Sequence, residues 1–422
     1  MRTSRYTILH QEDGKYYVFH QVSKTLLEVD KNLYNALSEN KTKDIPMEIA
    51  ITLSNRGILV SNDFDESSVV QYWNIAQRYQ SRLLRITIIP TIDCNFRCWY
   101  CYEKHHPSRI TTSDMDSIFE FIKERVKEKL IKEISLDWFG GEPLLCFNNI
   151  IYPFTLKVQA WAKDNGVILS NMITTNGSLI NEKMVGRMNE ICLNQFQITI
   201  DGGKKEHNKT RFSSKIPNSF DVIVNNIHSL CKSINSISVD LRINYTEANI
   251  NSVEEILYCF DESIRHLITI SPHIVWQESG KFKRLIGRVE NLRNIAIGMG
   301  FHVHNYANSS KCVSCYTEYC EQYVINYDLS VYKCTARDFD KKFSIGTIKE
   351  NGKFIPSPLF YKYYATPSPF MNKRCLNCEL LPSCYHSNSC IQKIIEGNKE
   401  TCHKSLIMKE LIRYINDQIR IK

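Results

Sequence analysis

The chain has 422 residues, 43% of them hydrophobic and 23% charged, with a net charge of +8. Such a length exceeds one ordinary core and predicts two or three domains, each able to bury a core unaided. No run reaches the roughly 18 uncharged apolar residues of a membrane span and "MRTSRYTILHQEDGKYYVFH" holds no apolar signal segment, so the expectation is a cytoplasmic protein with no membrane partner; the scattered basic residues read as a solvated surface, not a nucleic-acid footprint.

In chain order, residues 1–80 predict a small αβ module. "RYTILHQEDGKYYVFHQ" reads as a hairpin around Asp13–Gly14, "KNLYNALSEN" as a short helix, and "MEIAITLSNRGILV" as a helix running into a strand. Modules of this shape bind a peptide or nucleic acid, or pack as a lid. From about 84 to 305 short apolar strands alternate with helices: "LLRITIIP", a helix capped by Ser113 or Asp114, "EISLDWF", helix 148–165, "ILSNMITT", helix 181–191, "QFQITI", helix 219–233, "ISVDLRINY", helix 251–264 and "LITISPHIVW". Six strand-then-helix units predict an α/β fold with a parallel sheet, in the form of an open, partial (β/α)6 barrel.

Functional groups in parallel α/β folds sit at the C-terminal ends of strands. Cys94 follows the first strand, Gly140–Pro143 the second, Thr175–Gly177 the third and Asp201–Gly203 the fourth. All four turns are therefore expected at one mouth.

Sixteen cysteines are many for a reducing compartment, where they serve more often as metal ligands or catalytic groups than in disulfides. Three occupy "CNFRCWYC", and eight lie between Cys315 and Cys402. Of the remaining five, Cys146, Cys192, Cys231 and Cys259 read as small buried hydrophobes, with Cys312 kept apart. A closed zinc or iron–sulfur site takes four ligands, so a loop of three leaves a coordination position open, as a catalytic zinc site does. Phe96, Trp99 and Tyr100 would exclude water beside it. A zinc or redox thiol cluster is the competing reading of the spacing alone.

Cys94, Cys98 and Cys101 in a C-x3-C-x2-C loop after a first strand, with Tyr100 before the last, resemble the radical S-adenosylmethionine enzymes. The resemblance implies a 4Fe–4S cluster whose open iron chelates S-adenosylmethionine, and one-electron cleavage to a 5′-deoxyadenosyl radical that takes hydrogen from substrate. "WFGGEP" resembles the family's turn for the methionine amine, with Gly140, Gly141 and Pro143 allowing close approach and Glu142 accepting from the ammonium. "TTNGSLI" resembles the third-strand turn, with Thr175 and Asn176 near the cosubstrate, while a helix start capped by Ser178 or Asn181 explains it equally well. In "ITIDGGKKEHNKTRF", Asp201 would steady the loop, Arg211 would pair with a carboxylate, and His207 reads as structural.

The segment from about 306 to 422 is cysteine-rich and loop-rich, and is expected to need metal as a staple. Eight thiols make two sets of four, for which zinc ribbons would also serve. Their order resembles the SPASM extension of radical S-adenosylmethionine enzymes. That resemblance implies two auxiliary 4Fe–4S clusters, one on Cys315, Cys320, Cys334 and Cys390 and the other on Cys375, Cys378, Cys384 and Cys402. Two features depart from it: five residues instead of three separate Cys384 from Cys390, and Leu329 replaces the glycine five positions before Cys334. Cys312 is an alternative to Cys315 or Cys320.

SPASM proteins act mainly on peptides and proteins. The implied function is a maturase that installs a thioether or carbon–carbon crosslink, or another modification, in a ribosomally made peptide. Residues 1–80 would be a winged-helix-like module gripping the precursor, 81–305 the radical core and 306–422 the auxiliary domain, with flavodoxin or ferredoxin as reductant. A sulfatase-maturase-like, formylglycine-forming enzyme is the alternative, disfavoured because Thr335 follows Cys334 and the nearest acid is Asp338. A non-catalytic iron–sulfur electron carrier or scaffold is the alternative of another class. An RNA-modifying enzyme would carry a basic stripe, and none is present.

Overall fold

The computed structural model describes residues 1–79, 82–304, 315–336, 339–366, 370, 372–384, 402 and 404–421. These fall into two compact units. One comprises residues 82–304 and 321–360, the other residues 1–81, 305–320 and 361–422.

The first unit is built on one sheet. Leu83–Ile88, Glu133–Trp138, Ile168–Thr175, Leu193–Ile200, Ser238–Tyr245 and Ile268–Ile274 lie side by side, all parallel and in chain order. Order of this kind belongs to a singly wound, barrel-like sheet; a doubly wound sheet would reverse direction midway. His302–Val303 adds a short seventh strand beyond the last, and Gln322–Ile325 joins the other edge parallel to Leu83–Ile88. An antiparallel run of Ser330–Tyr332, Gly346–Ile348 and Phe354–Pro356 continues that edge. Among the described residues the sheet is open.

The strands alternate in polarity, and the register aligns the alternation. Ile173, Phe196, Val239 and Ile268 stand in one row and are at most 2% exposed. A fully buried aliphatic side chain contributes roughly 1.5–3 kcal/mol, so rows like this one supply most of the unit's stability. The neighbouring row on the opposite face is polar: Thr174, Gln197, Asp240, Thr269 and His302. A parallel sheet packed on both faces would be apolar on both. This one has a packed face and a polar face.

Helices follow the expected spans with local differences. The helix Thr112–Lys129 is capped by Thr111, whose hydroxyl accepts from the Asp114 amide while Asp114 reaches back, so the cap falls earlier than Ser113 or Asp114. The expected helix 148–165 is Tyr152–Asp164, preceded by a π turn over Phe147–Ile151. The stretch expected as helix 251–264 is instead a 3-10 turn, Val253–Cys259, then the four-residue helix Glu262–Arg265. Just before it, the Asn249 side chain accepts the Thr246 amide and donates to the Asn244 carbonyl, closing the turn that follows the strand.

The second unit holds a three-stranded antiparallel sheet, Thr7–Glu12, Lys15–His20 and Thr25–Val29, with Asp13 and Gly14 at positive φ in the hairpin turn. Helices Lys31–Ser38, Met47–Asn55 and Glu66–Tyr79 accompany it. Among the described residues, the cysteine-rich tail is less irregular than its composition predicts. Lys404–Ile421 is an amphipathic helix whose Ile407, Leu411 and Ile415 pack with Ile8 and Phe19 of the sheet. Glu66–Tyr79 buries polar residues: Asn74 donates to Glu318, and Arg78 donates to the Tyr363 and Thr366 carbonyls.

Candidate active site at the strand ends

The cysteine loop is held by the glycine turn of the next strand. Gly141 donates its amide to the Thr91 carbonyl at 3.1 Å and Glu142 donates to that of Asp93 at 2.8 Å. A Cβ on Gly140, where φ is +121°, would strike the Thr91 carbonyl, and one on Gly141 the Asp93 carbonyl. Both glycines thus let two backbones touch. Pro143 opens the 3-10 turn Pro143–Cys146.

Glu142 is fully buried. Its carboxylate accepts the Thr175 hydroxyl at 2.7 Å, the Asn176 amide at 2.8 Å and the Leu144 amide at 3.0 Å. The acid therefore braces the second and third strand ends, and burial pushes it above the usual carboxylate range. Asn176 in turn donates to Asn95 inside the cysteine loop at 2.8 Å and lies 4.0 Å from the Cys94 sulfur.

Cys98 is fixed from the other side. Arg97–Cys98 pairs antiparallel with Arg211–Phe212, placing Arg211 opposite Cys98. The Tyr100 hydroxyl donates to Asp201 at 2.5 Å and accepts from Arg211 at 2.9 Å and Asn244 at 3.1 Å. Arg211 lies over the Phe96 ring. Asp201 and Arg211 are 1% and 9% exposed in their side chains and 4.0 Å apart. His207, fully buried, accepts the Asp201 amide at 3.2 Å. The Asp201 Oδ1, Arg211 Nε and His207 Nε2 atoms are buried with no hydrogen-bond partner among the described residues.

Phe96 is buried, but Trp99 is 57% exposed and does not shield the loop as its position predicts. Tyr102, itself 38% exposed, stacks on Trp276 with ring centroids 5.9 Å apart. Gln277 donates to the Tyr100 carbonyl at 3.0 Å. Asn95, Asn244, Tyr102, Trp276 and Gln277 are absent from the sequence reading. Asn244 and Trp276 lie at the ends of the fifth and sixth strands, a signal that the strand-end rule offers.

The donor set suits a metal cluster. Burial pushes the Cys94 thiol up to about 12 and Cys101 to about 11, and raises Cys98 as well. A metal held by these three thiols would displace their protons. Among the described residues no three His, Cys, Asp or Glu side chains close around a single ion.

In the tail, Cys375 and Cys378 sit on successive turns joined by a 3.0 Å amide–carbonyl bond, and the Cys384 amide closes the next turn on Leu381. Cys378 and Cys384 pack against the Ile8–Leu411 cluster, and Cys402 acts electrostatically on Cys378. Cys315 and Cys320 belong to this unit, and Cys334 to the sheet unit. Cys390, Cys312 and Asp338 lie outside the described residues. Leu329 adopts φ +61°, the left-handed conformation a glycine would take.

A family model, the radical SAM superfamily, matches residues 88–257. The radical SAM cyclopropyl synthase TigE of Paramaledivibacter caminithermalis is 26% identical over 212 residues, 42% of this chain and 43% of that protein. The cysteine-type anaerobic sulfatase-maturating enzyme of Clostridium novyi is 27% identical over 330 residues, 69% of this chain and 84% of that protein. The chain thus spans under half the length of TigE, the first of its curated relatives. The solved structure of native anSMEcpe with bound AdoMet superposes with a TM-score of 0.60 at 17% identity, over 81% of this chain and all of that one, and so shares the fold.

Proposed function

We propose that this chain, whose residues 88–257 form a radical SAM domain, is a radical SAM enzyme that modifies a peptide or protein. The observation carrying the proposal is the joining of all four strand-end turns at the cysteine loop, through the Glu142 amide to Asp93, the Glu142 carboxylate to Asn176, Asn176 to Asn95 and Asp201 to Tyr100. Cys94, Cys98 and Cys101 would hold a 4Fe–4S cluster, and the position they leave open would take S-adenosylmethionine. The bound pair supplies a carbon-centred radical able to take hydrogen from an unactivated position.

This chain's residues then have defined tasks. Asn176 donates toward the Cys94 sulfur, where negative charge resides. Arg211 compensates charge at Cys98 and Asp201 and is too enclosed to leave. Phe96, buried beside the loop, keeps water from it.

In the tail, Cys375, Cys378, Cys384 and Cys402 would hold one auxiliary cluster. Cys315, Cys320, Cys334 and Cys390 would hold the other. The peptide substrate is a ribosomally made precursor gripped by residues 1–80, whose sheet and three helices have the make-up of a winged-helix-like module. The reductant is a small electron carrier such as flavodoxin or ferredoxin.

A second reading, oxidation of a cysteine or serine in a sulfatase, is favoured by the extent of the match to the Clostridium novyi enzyme. Incubation of the reconstituted, reduced protein with S-adenosylmethionine and either a precursor encoded beside its gene or a sulfatase-derived peptide separates the two. Tandem mass spectrometry should find a crosslink in the precursor, and an aldehyde in the sulfatase peptide would establish the second reading.

A further inference from the structure

The sheet's polar face holds a cation that the site described above does not use. Arg242 stands between Thr199 and Ser271 in the register, on the face opposite Leu241 and Ile243, which are both fully buried. Its Nε donates to Asn244 Oδ1 at 3.0 Å, and Asn244 donates to Tyr100. Among the described residues Arg242 has no ion pair and no other side-chain hydrogen bond. The two terminal nitrogens of its guanidinium make no hydrogen bond among the described residues.

The surroundings suit an anion. The Arg242 charge acts on Tyr102, Asp201 and His273, which puts it beneath the cysteine loop's flank. Burial and the charges of Arg242 and Arg293 hold His273 neutral. His304 is neutral as well, and its carbonyl accepts from Arg293 at 2.9 Å. Two carboxylates lie near it: Asp240 accepts from Ser271 and from Gln197, the latter at 2.7 Å, and Asp201 accepts from Tyr100. A half-buried guanidinium with no ion pair of its own among the described residues is complementary to a carboxylate.

We propose that Arg242 is a carboxylate-binding residue of the polar face, anchoring an acidic residue of the peptide substrate. The inference rests on the peptide-acting radical SAM reading, but its test requires no turnover.

The reconstituted, unreduced protein, with iron content verified, is titrated calorimetrically with S-adenosylmethionine and with N-acetyl-Gly-Glu-Gly-amide and its Gln counterpart. Wild type is compared with Arg242→Gln and Arg242→Lys, each checked for unchanged circular dichroism. Loss of a charged hydrogen-bonded pair predicts roughly a ten- to hundredfold weakening in Arg242→Gln, with Arg242→Lys between it and wild type. If the Glu-over-Gln preference disappears while S-adenosylmethionine affinity holds, the carboxylate is the peptide's. If S-adenosylmethionine affinity falls while the Glu-over-Gln preference holds, Arg242 serves the cosubstrate and the proposal is overturned. Arg242→Gln leaving both within twofold of wild type overturns the proposal. A wild type that binds normally but makes no 5′-deoxyadenosine when reduced fails the radical reading and leaves this result standing.

Discussion

Asp201 accepts the Tyr100 hydroxyl at 2.5 Å and, 4.0 Å from Arg211, compensates the one cation paired with Cys98. The fourth strand thereby holds the middle of the cysteine loop through a single carboxylate. Asp201→Asn removes that charge and leaves Arg211 buried and uncompensated, which costs about 3–5 kcal/mol. Urea unfolding should show this loss, and iron retention after reconstitution should fall with it. An unchanged midpoint would mean that Arg211 is neutralised by another group.

Gly141 and Gly186 make a matched pair. Gly141→Ala drives a methyl into the Asp93 carbonyl, whereas Gly186, exposed inside the helix Glu182–Glu190, has nothing within reach of a Cβ. Gly141→Ala should lower the iron bound per chain while the circular dichroism stays native. Gly186→Ala should stabilise the protein by about 0.5–1 kcal/mol and leave iron binding alone.

Leu329 bears on the departure from the SPASM pattern. Its left-handed backbone costs roughly 1–2 kcal/mol, while its side chain, 8% exposed, returns about as much by burial. Leu329→Gly should therefore lie within about 1 kcal/mol of wild type, since it relieves one term and loses the other. Leu329→Ala loses burial without relieving strain, and should cost about 2 kcal/mol in the same denaturation experiment.

His20 gives the N-terminal module a pH dependence. Burial lowers its imidazole from 6.5 to about 4, with Glu66 opposing, and Ser4 and Ser23 flank the ring. Below 6.5 the unfolded chain takes up a proton that the folded chain refuses, so stability is lost as pH falls from 6.5 toward 4. The loss amounts to about 3 kcal/mol. Denaturation midpoints at pH 7 and pH 4.5 should differ more in wild type than in His20→Asn. Equal differences would show that His20 is protonated in the folded state.

Much of this architecture was legible in the sequence, because strand ends and turn residues carry the signal. The six parallel strands, their order and the four turns at Cys94, Gly140, Thr175 and Asp201 all follow from apolar runs ended by Gly, Asn or Asp. The polar face was also present, in strands such as "SVDLRINY", but its alternation is visible only when the strands are read in register and not as apolar runs. The cap at Thr111 depends on side-chain-to-backbone bonds two residues from where periodicity puts it. The helix Lys404–Ile421 was obscured by its neighbours, since a cysteine-rich segment suggests loops while 404–421 has ordinary amphipathic spacing. Glu142 was read as an acceptor for a ligand. Its three hydrogen bonds to Thr175, Asn176 and Leu144 arise from packing between strands, which no local pattern encodes.

The central claim is that Cys94, Cys98 and Cys101 initiate radical chemistry, and the most direct measurement is formation of 5′-deoxyadenosine. Protein reconstituted anaerobically with iron and sulfide is reduced with dithionite, supplied with S-adenosylmethionine and assayed by mass spectrometry, beside the variant in which all three cysteines are alanine. Wild type should form 5′-deoxyadenosine and the variant none. A wild type with its iron confirmed that makes none, even with candidate peptides present, would contradict the account and leave a cluster-bearing binding protein.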